Sequence, residues 1–240
     1  MPAPTVHITG ISSMATRLLL AELTAAFAQR SGCTVDIQAV GGVDAAKRVR
    51  AGEAFDVVML AADAIERLAA SGHLARGSRV DLFRSPVALA VRSGAPRPDI
   101  GCEAAVKQAL RAARSVGYST GPSGAHLAQL LERWGIAGEL AGRTVQAPPG
   151  VPVGALVARG DVEIGWQQLS ELMSVPGITV LGSLPAGVEF ITTFSAALGV
   201  GCTQPQAVHE LLAFITAPEA AATVRSHGMA PCSLNPKAPT

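Results

Sequence analysis

Charge is scarce in this chain, and so are aromatic rings. Of 240 residues, 15% are Asp, Glu, Lys or Arg and 4% are aromatic, and the formal net charge is +1. Without a basic surplus there is no electrostatic footprint for nucleic acid or an anionic membrane. So few rings also argue against a base-stacking platform. The four cysteines, Cys33, Cys102, Cys202 and Cys232, stand far apart with no C-x-x-C pair. They fit no zinc template and read as small interior hydrophobes, with any disulfide pairing illegible from spacing. No stretch of about 18 apolar residues is present to cross or insert into a bilayer. The start, MPAPTVHITG, lacks a basic segment followed by a long apolar one. The expectation is a cytoplasmic chain, or a periplasmic one whose leader has been removed and a Met supplied. The patterns G-x-x-x-x-G-K-[ST], G-x-G-x-x-G after the first strand, G-x-S-x-G and H-E-x-x-H are all missing. No cofactor and no metal is therefore expected.

What is present is apolar sequence in alternating rhythms, at 49% hydrophobic residues. TVHITG reads as a short strand ending at Gly10. SSMATRLLLAELTAAFAQRSG then reads as a helix capped by Ser12 or Ser13, with Leu19, Leu20, Leu23 and Phe27 at helical spacing. CTVDIQAV, VDAAKRVRAGE, FDVVMLA and ADAIERLAASGHL continue the strand–helix order. Strand SPVALAVRSG and the proline-rich bend APRPDIG lead into a second run of the same kind. It holds a helix over about residues 102–114, the strands SVGYS, RTVQAP, VEIGWQQ and ITVLGSLP, and the helix AHLAQLLERWG. A long strand, EFITTFSAALGVG, precedes a helix broken at Pro218, and the tail SLNPKAPT has no periodicity. The order predicts an α/β protein with mostly parallel sheets flanked by helices.

Four small-residue loops fall at the carboxyl ends of predicted strands: GISSM, VGGVD, STGPSG and PGVPVG. Ligands of open α/β sheets sit at that edge. Unpaired backbone N–H groups at helix starts, close approach over glycine and neutral hydroxyls together suit a small anion. Each loop alone is an ordinary cap or turn, and joint placement is what points to a site. Arg84 is a candidate to pair a carboxylate. One of Gln167 and Gln168 faces the ligand, because side chains alternate along a strand. His126, just past STGPSG, is the weak candidate for a proton carrier, although a lone histidine is more often a packed one.

The segments ISSMATRLLLAELTAAFAQRSGCTV, AGEAFDVVMLAAD, SGAHLAQLLERWGI and ALVARGDVEIGWQQLSEL resemble the type II periplasmic binding proteins. The branch is the one around the molybdate-binding protein, including aconitate-isomerase-like members, and the resemblance runs over roughly residues 5–231. It implies two α/β lobes with the ligand cleft between them, closing by a hinge. Residues 1–83 with 197–240 would form one lobe and 84–196 the other, with crossings near 83–93 and 189–197. By position, the resemblance places ligand contacts at Ser12 or Ser13, at Gly42 and Val43, at Pro122, Ser123 and Gly124, and near Val151. The tyrosine over the molybdate falls on Gln168, and the second-loop serine falls on Gly41, Gly42 and Val43, where no hydroxyl exists. Both departures disfavour molybdate. The added polar groups Ser119, Thr120, Ser123, Gln167 and Arg84 favour an organic di- or tricarboxylate.

The first expectation is thus a substrate-binding protein that delivers a small carboxylate to the membrane component of an ABC-type transporter. The alternative is a cytoplasmic isomerase or tautomerase that moves a proton within a small unsaturated carboxylate. A ligand-sensing regulatory domain ranks third, because no helix-turn-helix segment precedes the fold.

Overall fold

The structure, a computed structural model, describes residues 6–232. In chain order it holds β1 (His7–Ser13), α1 (Arg17–Ser31), β2 (Thr34–Val40), α2 (Gly42–Arg50), β3 (Val57–Ala61), α3 (Ala62–Ala70) and β4 (Val80–Arg92). Then come α4 (Glu103–Ala112), β5 (Val116–Tyr118), α5 (Pro122–Arg133), α6 (Ala137–Leu140), β6 (Thr144–Gln146), α7 (Val153–Arg159), β7 (Ile164–Gln168) and α8 (Leu169–Leu172). The chain closes with β8 (Ile178–Ser183), β9 (Ile191–Leu198), α9 (Pro205–Thr216), α10 (Ala221–Ser226) and β10 (Ala230–Pro231). The tail SLNPKAPT, apart from its neighbour Cys232, lies outside the described residues.

Two compact units result, one built up to Arg84 and again from Thr193, the other from Ser85–Thr192. In the first, β1 lies between β2 and β3, parallel to both, and β9 runs antiparallel to β3. Alternation along β3 explains its apolar run. Val57 and Met59 join one core with Leu19, Leu23 and Phe27 of α1 and Leu211 of α9. Val58 and Leu60 join the other with Val49 of α2 and Ile65 of α3. A strand buried on both faces has no polar side to display.

In the second unit β7 is antiparallel to β4 and parallel to β5, which is parallel to β6. Val87, Leu89 and Val91 of β4 pack with Val106 and Leu110 of α4 and Leu127 and Leu130 of α5. Ala88 and Ala90 turn to the opposite face, against Leu172 of α8. β7, β5 and β6 therefore end at one shared edge, as do β1, β2 and β3 in the first unit.

Several boundaries differ from the sequence reading. β1 does not stop at Gly10; pairing with β2 carries it through Ser13. β4 begins at Val80 rather than near residue 85, and the long strand over 189–201 shortens to Ile191–Leu198. α5 starts at Pro122, so Pro122, Ser123 and Gly124 form its first turn rather than a loop. Proline suits that place because the first helical N–H has no intrahelical partner.

Candidate functional site

In the first unit the strand-end group is Ser13. The capping role expected of Ser12 or Ser13 is not what they do: neither hydroxyl bonds an N–H of the following turn. Thr16 Oγ1 instead donates to the Ser13 carbonyl at 3.1 Å, and Ser12 Oγ makes a long contact with it at 3.4 Å. Ser13 Oγ is left buried and without a partner among the described residues, on a side chain whose residue is 7% exposed. A buried hydroxyl without a hydrogen bond costs stability, so an unpaired one asks for an occupant. It lies at the start of α2, since a methyl on Gly42 would stand 3.7 Å from Ser13 Cβ. Val43, in the first turn of α2, is exposed.

The second unit gathers more. Ser119 and Ser123 share a hydrogen bond at 3.2 Å between hydroxyls, and Ser123 is 1% exposed. The indole N–H of Trp166 on β7 donates to the Ser123 carbonyl at 2.9 Å and pins the first turn of α5 to the sheet. Gly124 is dictated by close approach: a Cβ there would sit 1.8 Å from the Ser119 carbonyl oxygen. Its N–H already donates to the Gly121 carbonyl at 3.0 Å, so the expected anion contact at Gly124 is not available in this conformation. Of the first-turn amides, that of Ser123 has no backbone acceptor among the described residues. The expected contact at Val151 meets the same objection. Its N–H donates to the Pro148 carbonyl at 3.0 Å, closing a turn with Gly150 at φ 76°. Glycine accepts that left-handed conformation at the third position of a type II turn, with Pro149 before it.

Gln167 and Gln168 separate as alternation requires. Gln167 bridges two helices: its Oε1 accepts the Val153 N–H at 2.9 Å and its Nε2 donates to Glu171 at 2.7 Å. Gln168, 3% exposed, meets Thr192 Oγ1 at 2.6 Å through Nε2, and its Oε1 has no partner. Thr192 can donate or accept, so the reversed amide setting pairs with it equally well and presents N–H groups instead. In either setting a buried half-amide is open.

His126 is a packing residue. Its ring stacks on Phe190 at 4.4 Å between centroids, lies 6.1 Å from Trp166, and shares a hydrogen bond between Nε2 and the Val188 carbonyl at 3.1 Å. Burial lowers its pKa, against an opposing pull from that carbonyl. Arg84 is exposed on β4, beside the thiol of Cys232 and opposite Ala230 in the pairing of β4 with β10.

Sequence reasoning missed Ser85, Ser170, Thr192 and Glu171. Ser85 and Ser170 hydroxyls lie 3.4 Å apart. Glu171, partly exposed on α8, is held by Gln167 alone among the described residues. Burial pushes its carboxyl up to about 7, the Gln167 bond offsetting a part. One signal was available: Glu171 is the first acidic residue past the end of β7. Among the described residues no group of three or more His, Cys, Asp or Glu is placed to hold a metal. No helix among them is long and apolar enough to cross a membrane.

An aconitate isomerase from a Pseudomonas species is 36% identical over 239 residues, 97% of this chain and 91% of that protein. Among solved structures, the Azotobacter vinelandii periplasmic molybdate-binding protein matches with a TM-score of 0.75 at 19% identity, over 93% of this chain and 98% of that one. The periplasmic binding protein AgtB from A. tumefaciens R10, in complex with agropinic acid, matches with a TM-score of 0.71 at 14% identity, over 95% of this chain and 84% of that one. At such identities these two likenesses concern the fold. The profile described as bacterial extracellular solute-binding protein matches residues 8–230, and with so much of the chain covered, the protein belongs to that family.

Proposed function

We propose that this protein isomerises a small unsaturated tricarboxylate of the aconitate type by a 1,3-proton shift. The observation that carries the reading is the 36% identity to an aconitate isomerase across 97% of the chain. It reverses the order expected from sequence, where delivery to a transporter stood first. The chemistry needs three things. The carboxylates must be held, and within the second unit the Ser119–Ser123 pair and the open amide of Gln168 suit them, while the first unit by itself offers the buried hydroxyl of Ser13. A proton must leave the CH2 arm of the substrate, its electron pair spreading through the double bond toward the second arm. A proton must then return at the former vinyl carbon, so that the arms exchange roles and the double-bond geometry can change.

A second reading, binding of a carboxylate for an ABC-type transporter, is favoured by the family itself. The two part on turnover. The purified protein, incubated separately with cis- and trans-aconitate and resolved by chromatography, is expected to yield the other isomer. Saturable binding with no conversion of either would favour the transport reading and overturn the first.

A further inference from the structure

We propose that Glu171 is the group that receives the proton from the substrate and returns it. The inference rests on the isomerase reading above and supplies its missing base. Three geometric facts carry it. α8 begins immediately after β7, which puts Glu171 at the carboxyl end of the strand whose last residue, Gln168, has a buried unpaired amide atom. Gln167 fixes the carboxyl by one hydrogen bond, to Oε1, and is itself locked by the Val153 N–H. Oε2 has no protein donor among the described residues, and the residue is partly exposed, so a ligand can reach it.

The electrostatic surroundings suit a base that works near neutral pH. No cation pairs with Glu171 among the described residues. β7, α7, β4 and β8 pack on α8, and β7 and β8 carry no titratable side chain. Of the charged residues of β4, Asp81 bonds Arg79 and Ser195, Arg84 lies beside the Cys232 thiol and Arg92 beside Gly160. α7 carries only Arg159, which Asp161 holds at 2.9 Å. Desolvation without a compensating charge raises a carboxyl, and a base with a pKa near the working pH transfers protons best in both directions. The step balances within the substrate and this one side chain. The C–H bond breaks as the Glu171 O–H bond forms, the pair moves into the allylic system, and the O–H bond then breaks as the new C–H bond forms. No other reactant is needed. His126, the sequence candidate, has its ring committed to Phe190 and the Val188 carbonyl.

The test is Glu171→Gln, with Glu171→Asp beside it, assayed with trans-aconitate. Isomerisation by the Gln variant is expected to fall at least about 100-fold, the scale of a lost general base, with affinity within about threefold of the parent. The Asp variant keeps part of the rate. The parent's kcat/KM is expected to fall about tenfold per unit below pH 7, since the carboxylate is the active form. Melting of the Gln variant at pH 8 should be no lower than the parent's, because it removes a charge that burial disfavours. A Gln variant that keeps the parent's rate, or loses rate only in step with affinity, would overturn the assignment. Should the parent itself not turn over, the isomerase reading fails and calorimetry decides on Glu171. An anion seated beside it raises its pKa, so binding at pH 7 takes up roughly half a proton in the parent and none in the Gln variant. Equal uptake in both, or no binding, sinks the inference.

Discussion

Ser13 and Asp56 show two opposite uses of a buried polar group. Asp56 is fully employed: its carboxylate accepts from the N–H and hydroxyl of Thr9 and from the N–H and hydroxyl of Thr203, at 2.9–3.2 Å. Burial pushes this carboxyl up, and those four bonds outweigh it and hold the pKa below the usual carboxylate range. Its contribution to stability is therefore complete above about pH 4, where an unfolded aspartate ionises, and is lost as the pH falls through the folded value. Asp56→Ala should cost on the order of 2–4 kcal/mol at pH 7, and the difference from the parent should shrink in melts below about pH 4. A pH-independent difference would contradict this account. Ser13 is the reverse case, with no bond to lose. Ser13→Ala should leave the melting temperature unchanged or slightly raised while weakening tricarboxylate affinity about tenfold, by calorimetry. An unchanged affinity would remove Ser13 from the site. The role of Asp56 was not legible in the sequence, whereas Ser13 was named there as a ligand contact, beside a capping role that the structure does not bear out. A serine before a helix looks like a cap, and only pairing with β2 shows that the strand continues through it. Glu171 drew no reading from the sequence, because its raised pKa comes from tertiary packing around a side chain that stays partly exposed.

At the scale of elements the reading was better, because periodicity is a local property. The buried strand VVMLA and the helix face of Leu19, Leu20, Leu23 and Phe27 came directly from spacing. Element starts were missed where neutral small residues carry no rhythm, as at Pro122, whose helix start depends on a contact with β7 through Trp166. That start is also the most sensitive joint. Gly124→Ala must move α5 away from Ser119, since the two atoms cannot stand 1.8 Å apart. The expected cost is about 1–3 kcal/mol, with loss of ligand affinity as Ser119 and Ser123 separate. An alanine variant with parental melting and affinity would show that the first turn shifts freely.

For the molecule as a whole, membership of a solute-binding family is settled by 8–230 of its residues, and the ligand class is the open quantity. A tricarboxylate at 100 times its Kd should stabilise the fold by about 2.7 kcal/mol, which for a chain of this size is a rise of roughly 5–10 °C in Tm. Molybdate at the same concentration should give a smaller rise, because the hydroxyl expected opposite Ser13 is replaced by Gly41, Gly42 and Val43. A larger shift with molybdate would reject the organic-anion assignment. Turnover is the more demanding claim. Its most direct test is a proton NMR time course of the purified protein in deuterated water, started once from cis- and once from trans-aconitate. The account predicts that both mixtures reach one common ratio of isomers, with deuterium entering the methylene position to the extent that the Glu171 proton exchanges with solvent between the two transfers. Two mixtures that stay as they began, without deuterium, would contradict it.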